Sequence, residues 1–188
     1  MKTLLTLFVL FFSSLLLADD ISDFEIEGIS IGDSLLDHFS KEEIINNKRN
    51  NWYADTDGKF MASSFYLDKI SSIYQVLTIH YKGIDRNFIV EAVSGGLFYK
   101  NNIEECYLKQ KEIAQEISKL FQNFDWQNAE YEDSDGKFTS SFMNLQSNGR
   151  ISIQCFDWNS IIEKEKKWTD NLRLTIKSEE FARWLDKY

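Results

Sequence analysis

Histidine is scarce in this chain of 188 residues, which contains only His38 and His80. A zinc site needs several imidazole or thiolate ligands, and neither histidine has such neighbours in the sequence. A serine nucleophile needs a base beside its hydroxyl, and these two histidines are the only imidazoles that could provide one. The scarcity disfavours zinc chemistry and restricts nucleophilic catalysis to the surroundings of two positions.

Proline is absent altogether, which we attribute to a compositional bias of the genome rather than to a structural demand. Positive charge is also in deficit, with 21 Lys and Arg against 30 Asp and Glu and a net charge of −9. Loss of Lys2 with the N-terminal segment described next would change −9 to −10. This charge repels phosphate backbones and anionic membrane surfaces, so nucleic acid is not expected as a partner.

The N-terminus has the pattern of a secretory signal peptide. Lys2 precedes an apolar stretch over residues 4–18, which ends at Ala18 before Asp19 and Asp20. An uncleaved membrane anchor, the alternative interpretation, needs roughly 20 apolar residues. The pattern predicts a signal peptide over residues 1–18, one mature domain over residues 19–188, and a periplasmic or secreted product without stable membrane insertion.

Cysteine occurs only twice, as Cys106 and Cys155. In an exported protein an even number of cysteines indicates a disulfide, because the compartment is oxidising. A pair of buried free thiols is the alternative. We predict that Cys106 and Cys155 are bonded to each other.

One short segment of the sequence occurs twice. Residues 53–60 read YADTDGKF and residues 131–138 read YEDSDGKF, with six of the eight positions identical. A helical pattern precedes each copy, and alternating apolar and polar residues follow it. The similarity predicts a tandem duplication with halves at about residues 28–100 and 101–188.

The periodicities predict an α+β fold. Alternation of period two predicts strands at 60–67, 74–81, 88–93, 138–145, 150–156 and 172–176. Helices are expected after Ser34 and Ser40, from Asn102 to Phe124, and after Ser178. The expected architecture is a tandem helix–strand–strand–strand repeat, with an antiparallel sheet and helices packed on one face. The disulfide would join the second helix to the sheet.

Gly32-Asp33-Ser34-Leu35 resembles the first block of the GDSL lipase and esterase family, in which the serine is the nucleophile. That family draws its base from a C-terminal Asp-x-x-His, and this chain ends Trp184-Leu185-Asp186-Lys187-Tyr188. Asp33 and Ser34 are ordinary residues at the start of a helix. The overlapping Gly-x-Ser-x-Gly at residues 28–32 would need a strand–turn–helix in a parallel sheet. A hydrolase that uses Ser34 is therefore kept only as the alternative function.

The repeated Asp-Gly segments suggest a calcium site. Its ligands would be Asp55, Asp57, Asp133 and Asp135. An EF-hand loop also needs an acidic first ligand and a bidentate Glu at position twelve. Here those positions hold Tyr53 and Ser64 in one copy, and Tyr131 and Phe142 in the other. We favour tight turns, in which glycine has a positive φ and the aspartate bonds its own backbone. A calcium-stabilised structural domain is the second alternative, and no metal or other cofactor is predicted.

Five tryptophans are many for this length, and the core is the expected place for most of them. Trp158 and Trp168 are the candidates for exposed residues of a binding surface, since exposed aromatics often dominate interfaces. Such a surface is expected on the side of the sheet that the helices leave open.

As a whole, residues 24–188 resemble an uncharacterised family of small exported proteins from marine alphaproteobacteria. The segments that carry this resemblance are FEIEGISIGDSL at 24–35, GGLFYKNNIEEC at 95–106, CFDW at 155–158 and DNLR at 170–173. The resemblance implies export and no particular activity. At the level of the fold, the tandem units are similar to β-lactamase inhibitor proteins and to the SmpA/OmlA outer-membrane assembly lipoproteins, which bind other proteins. The sequence thus predicts a non-catalytic exported module that binds a protein or an envelope component.

Overall fold

The computed structural model describes residues 21–50, 52–54, 56–67, 72–121, 125–145 and 149–188. The predicted signal peptide lies outside these residues, as does Asp55. The predicted α+β class is confirmed, because helices and antiparallel strands both occur along the described chain.

Four helices and nine strands are described in these ranges. The helices are α1 (Lys41–Asn46), α2 (Ile103–Ser118), α3 (Ser160–Lys166) and α4 (Glu179–Leu185). The strands are β1 (Glu25–Ile26), β2 (Ile29–Ser30), β3 (Phe60–Tyr66), β4 (Val76–Lys82), β5 (Val90–Phe98), β6 (Gln127–Glu132), β7 (Gly136–Asn144), β8 (Arg150–Trp158) and β9 (Asn171–Lys177). Short 3₁₀ turns occur at Ile21–Asp23 and Leu35–Asp37.

One antiparallel sheet of seven strands has the order β3-β4-β5-β9-β8-β7-β6. The strands β3-β4-β5 and β7-β8-β9 are thus arranged in opposite order around a central β5–β9 pair. The two Asp-Gly segments precede β3 and β7, which start at opposite ends of the sheet. This arrangement suits two related halves, although the duplication itself stays a prediction.

The two faces of the sheet differ in composition because successive side chains of a strand point to opposite sides. The disulfide face is defined by Cys155 and by the apolar side chains level with it in neighbouring strands. Its central residues are Leu77, Ile79, Val93, Ile151, Ile153, Leu172, Leu174 and Ile176, all buried. These side chains form the main core with α1 and α2, which contribute Ile44, Ile113 and Ile117.

The predicted disulfide is confirmed and joins α2 to the sheet. Cys106 and Cys155 are both fully buried, with a Cα–Cα distance of 6.1 Å. Beside them, Gln110 of α2 donates from Nε2 to the carbonyl oxygen of Ile153 at 2.8 Å. The helix is therefore held on β8 by a covalent bond and by a buried hydrogen bond.

The opposite side, which we call the reverse face, carries α4. Ser178 caps this helix as predicted, accepting a hydrogen bond from the backbone N–H of Phe181. Phe181 and Trp184 pack on Phe60 and Ala92 of the reverse face. The sequence prediction placed all helices on one face, and α4 departs from it because its apolar residues fill a second, smaller core.

Other elements also differ from the sequence prediction. The helix expected after Ser34 is only a 3₁₀ turn over Leu35–Asp37, and α3 was not predicted. The predicted strands do not include β6, which pairs with β7 at the edge of the sheet although every one of its side chains is exposed. The helix expected from Asn102 to Phe124 ends at Ser118. Its predicted final residue, Phe124, lies outside the described residues.

Candidate binding face

The residues predicted for the hydrolase alternative do not meet around Ser34. The Ser34 hydroxyl donates to the backbone carbonyl of Asn87 at 2.9 Å. His38 contacts Asp33 instead, with 3.8 Å between Nε2 and Oδ2. His80 lies on β4, beneath α4. The proton of the Ser34 hydroxyl is thus directed at a carbonyl oxygen, which is no general base.

Two of the aspartates considered as calcium ligands, Asp57 and Asp133, accept hydrogen bonds from the backbone of their own turns. Asp57 accepts from the backbone N–H of Lys59 at 3.0 Å and from the indole of Trp184 at 2.8 Å. Asp133 accepts from the N–H groups of Asp135 and Gly136. In the described part of the chain, no three His, Cys, Asp or Glu side chains gather where a metal ion could be held.

A continuous group of aromatic rings crosses the reverse face over β6, β7 and β8. We call it the aromatic ladder, and its members are Tyr131, Phe138, Phe156, Trp158 and Trp168. Each ring contacts the next with a centroid distance between 4.6 and 5.6 Å. Two members, Tyr131 and Trp168, are exposed by 51% and 45%. The ladder therefore has a buried centre at Phe138 and two accessible ends.

Both tryptophans that the sequence singled out belong to this ladder. Trp158 is the last residue of β8 and is half-buried, and Trp168 follows α3 with its ring 4.6 Å from that of Trp158. They meet because α3 brings the chain back to the end of β8. Asp170, which follows Trp168 closely, accepts from the backbone N–H of Trp158 at 2.9 Å.

The central cation of the reverse face is Arg173, on β9. Its guanidinium carbon lies 4.8 Å from the ring centroid of Phe156 and 5.1 Å from that of Trp52. Such cation–π contacts are worth up to about 2 kcal/mol where the cation is desolvated. Burial lowers the pKa of Arg173 to about 10, so the group is still charged at neutral pH. Among the described residues, none forms an ion pair or a hydrogen bond with this side chain.

A row of hydroxyl side chains crosses the reverse face beside Arg173. Its members are Ser64, Thr78, Ser94, Thr175 and Ser152, on five adjacent strands, and all are buried. Ser64 bonds Thr78 at 2.9 Å, and Ser94 bonds Thr175 at 2.8 Å. Ser152 is the unpaired member of the row, and its hydroxyl has no hydrogen-bond partner within the described chain.

Two further basic groups lie on the same face. Lys177, on β9, is 7% exposed, and burial lowers its pKa to about 8, with the charge of Arg150 acting in the same direction. His80 on β4 is buried, and its pKa is lowered to about 3 by burial and by the charges of Arg173 and Lys177. His80 is therefore neutral, whereas Arg173 and Lys177 make this interior positive in an otherwise acidic protein.

The sequence interpretation did not identify Arg173, Lys177 or Ser152. The available signal was the alternation within β9, where Asn171, Arg173, Thr175 and Lys177 alternate with Leu172, Leu174 and Ile176. A strand at the centre of a sheet with one fully polar side indicates a polar interior on the reverse face. Which residues cover that side depends on the path of residues 49–57 and of α4, which periodicity does not specify.

Comparison with known proteins adds no information on function, which therefore has to be inferred from the features described above. No protein-family model, no curated protein and no solved structure matches the chain. The resemblance to small exported proteins stays a prediction.

None of the helices in the described ranges combines the length and the apolar character needed to cross a membrane. The disulfide between Cys106 and Cys155 is of a kind that persists in oxidising compartments. This chemistry agrees with the localisation that the N-terminal pattern predicts.

Proposed function

We propose that this protein is a non-catalytic binding module of the periplasm or the extracellular space, and that its partner is a protein of the cell envelope. The observation that carries the proposal is the aromatic ladder with its exposed ends, next to Arg173. Trp, Tyr and Arg are the residue types that most often dominate the binding energy of protein interfaces.

The arrangement of the ladder also suits a binding surface. Phe138 is 4% exposed and fixes the centre of the ladder between β6 and β8, so the outer rings are held by a rigid sheet. Rings held in this way lose little conformational entropy when a partner covers them. The sheet thus provides support for Tyr131 and Trp168, where a partner would make contact.

The absence of an assembled acyl-transfer site around Ser34 supports the non-catalytic part of the proposal. The Ser34 hydroxyl donates to a carbonyl oxygen, and Nε2 of His38 lies 3.8 Å from Oδ2 of Asp33. Hydrolysis through Ser34 would require a rearrangement that brings a histidine to its hydroxyl.

The test is affinity capture from envelope extracts with quantitative mass spectrometry. The Tyr131→Ala/Trp168→Ala variant removes both exposed ends of the ladder. Tyr66→Ala is the matched control, because Tyr66 is an exposed tyrosine on the opposite edge strand, β3. We expect a protein that the wild type and Tyr66→Ala retain equally and that the ladder variant loses. Equal retention by all three proteins would exclude the ladder as the binding surface.

Export is tested separately by the mass of the mature protein. We expect the product recovered from the periplasm or the medium to begin at Asp19, with residues 1–18 removed. A product that keeps these residues and sediments with membranes would instead indicate an uncleaved anchor.

A further inference from the structure

The guanidinium group of Arg173 is in contact with two aromatic rings and has no carboxylate partner in the described chain. Trp52 and Phe156 contact the group at 5.1 and 4.8 Å from their ring centroids. An arginine has five N–H donors, and no described residue accepts from those of Arg173. A half-buried guanidinium group without a carboxylate leaves part of its desolvation cost without compensation.

Two other arginines of the described chain have carboxylate partners. Arg150, also on the reverse face, forms two hydrogen bonds with Asp186 at 2.6 and 2.8 Å. Arg183 pairs with Glu179 on α4. Arg173 differs from both because its neighbours are aromatic rings and polar uncharged side chains, and no counter-ion pairs with it within the described chain.

Ser152 provides a second donor on the same face. Its hydroxyl belongs to a side chain only 2% exposed and has no partner among the described residues. In the register of β8 and β9, Ser152 faces Thr175, and Gln154 faces Arg173. Ser152 is therefore the diagonal neighbour of Arg173, and such neighbours lie about 7–8 Å apart. The long arginine side chain and a ligand atom can bridge that distance.

We infer that Arg173 and Ser152 form a binding site for a carboxylate group of the partner polypeptide, an inference that rests on the proposed function. The ligand would lie along the reverse face, with apolar or aromatic atoms against Phe156 and the aromatic ladder and its carboxylate at the edge of the guanidinium group. Arginine and a carboxylate form two parallel hydrogen bonds in one plane, which suits a guanidinium group held by ring contacts.

Charge selects a carboxylate over a phosphate. The chain has a net charge of −9, which repels ligands of high negative charge. Arg173 supplies one positive charge and Ser152 one neutral donor, a set that matches a monoanion. Lys177, four residues further along the same strand, adds positive potential.

The experiment is calorimetric titration of the purified protein with phenylacetate and with its uncharged analogue phenylacetamide at constant ionic strength. The two probes share an aromatic ring and differ in the carboxylate. We expect saturable binding of phenylacetate and at least ~10-fold weaker binding of phenylacetamide, as for loss of a charge-assisted hydrogen bond. Equal binding of both probes, or tighter binding of inorganic phosphate, would overturn the inference.

Variants assign the site to these residues. Arg173→Gln is expected to weaken phenylacetate binding about 10-fold or more, while the control Arg183→Gln on α4 leaves it unchanged. Ser152→Ala removes a hydroxyl without a partner, so the fold is retained and a weakening of binding reports on the site even if Arg173→Gln does not fold. Unchanged affinity in Ser152→Ala and equal losses in both arginine variants would each contradict the assignment.

The two proposals fail in different ways. If the envelope protein is captured through the aromatic ladder but phenylacetate does not bind, the carboxylate site is wrong and the binding module stands. If phenylacetate binds through Arg173 but ladder variants retain every captured protein, the carboxylate site is correct and the aromatic ladder is not the surface that binds the captured protein.

Discussion

The hydroxyl oxygen of Tyr53 lies 2.6 Å from Nδ1 of His80, in a hydrogen bond beneath α4. Burial raises the pKa of Tyr53 and lowers that of His80 to about 3, so both partners are neutral near pH 7. The rings of Phe181 and Trp52 also contact His80, at centroid distances of 4.9 and 6.1 Å. This neutral pair joins residues 52–54 to the sheet at the place where Trp52 contacts Arg173.

The stability of the protein should therefore fall as the pH is lowered from 7.5 to 5. The unfolded chain binds a proton at His80 below about pH 6.5, whereas the folded chain does not bind one until about pH 3. Over this range we expect a loss of about 2 kcal/mol in the free energy of unfolding, measured by urea denaturation. Carboxylates with lowered pKa values, such as Asp186, titrate below this range.

The control for this pH effect is His80→Gln, which keeps a polar side chain next to Tyr53 and removes the titrating group. Its unfolding free energy should change little between pH 7.5 and pH 5. The same slope in the variant and the wild type would show that His80 is not the source of the effect.

Lys177 should make the free energy of unfolding depend on pH in the alkaline range. Its folded pKa is about 8 against an ordinary value of 10.5, so the unfolded chain keeps a proton that the folded chain has lost. Stability should rise with pH between about 8 and 10.5. Below pH 8 both states are protonated and the full cost of burying the charge remains.

Replacing Lys177 with methionine tests this cost, because methionine has a similar volume and no charge. We expect Lys177→Met to be more stable than the wild type by about 2 kcal/mol at pH 7, as measured by chemical denaturation. Lys119→Met, at an exposed position directly after α2, should change stability little. A destabilised Lys177→Met protein would mean that the ammonium group has a stabilising partner.

The disulfide should make a large contribution to stability. Cys106 and Cys155 are separated by 49 residues, and closing a loop of that length stabilises by about 4 kcal/mol in the chain-entropy model. The Cys106→Ala/Cys155→Ala variant should therefore have a much lower denaturation midpoint than the oxidised wild type. The reduced wild type is the comparison that separates the covalent bond from packing of the sulfur atoms. A reduced protein as stable as the oxidised one would contradict the expectation.

Gly95 on β5 should not tolerate a side chain. A Cβ atom at this position would lie 2.5 Å from the ring of Tyr74, whose side chain is buried in the main core. Gly95→Ala should destabilise the protein by about 1–3 kcal/mol, the usual cost of overpacking. A Gly95→Ala/Tyr74→Leu double variant should recover part of the loss, and thermal denaturation can compare the two. No recovery would show that the clash is not with the Tyr74 ring.

The sequence predicted those elements in which the pattern of apolar and polar residues, or a capping residue, directly reflects the structure. The β7–β8 hairpin has clear alternation, α2 has an apolar stripe that includes Cys106, and Ser178 is a strong cap. Strand β6 was not predicted because all its side chains are exposed, so no alternation of buried and exposed residues marks it and its pairing with β7 defines it. Local periodicity carries no information on such pairing.

The candidate site was predicted in part, since Trp158 and Trp168 could be named from their number and position while Arg173 could not. An arginine in an alternating strand normally points to solvent. Its half-buried position results from Trp52, which is more than 100 residues away in sequence. Contacts of that range depend on the folded path of residues 49–57.

The exposed acidic strand β6 has a consequence for association between copies of the chain. At the other edge of the sheet, β3 is covered, since Ala62 accepts from the N–H of Arg49 and Ser64 donates to the carbonyl of Asn47. The free side of β6 carries Glu130 and Glu132 instead. Two copies that paired through β6 would bring these carboxylates together, and charges of this kind block strand addition. Among the described residues, β6 thus ends the sheet as an acidic edge strand, which disfavours edge-to-edge pairing between copies at high local concentration.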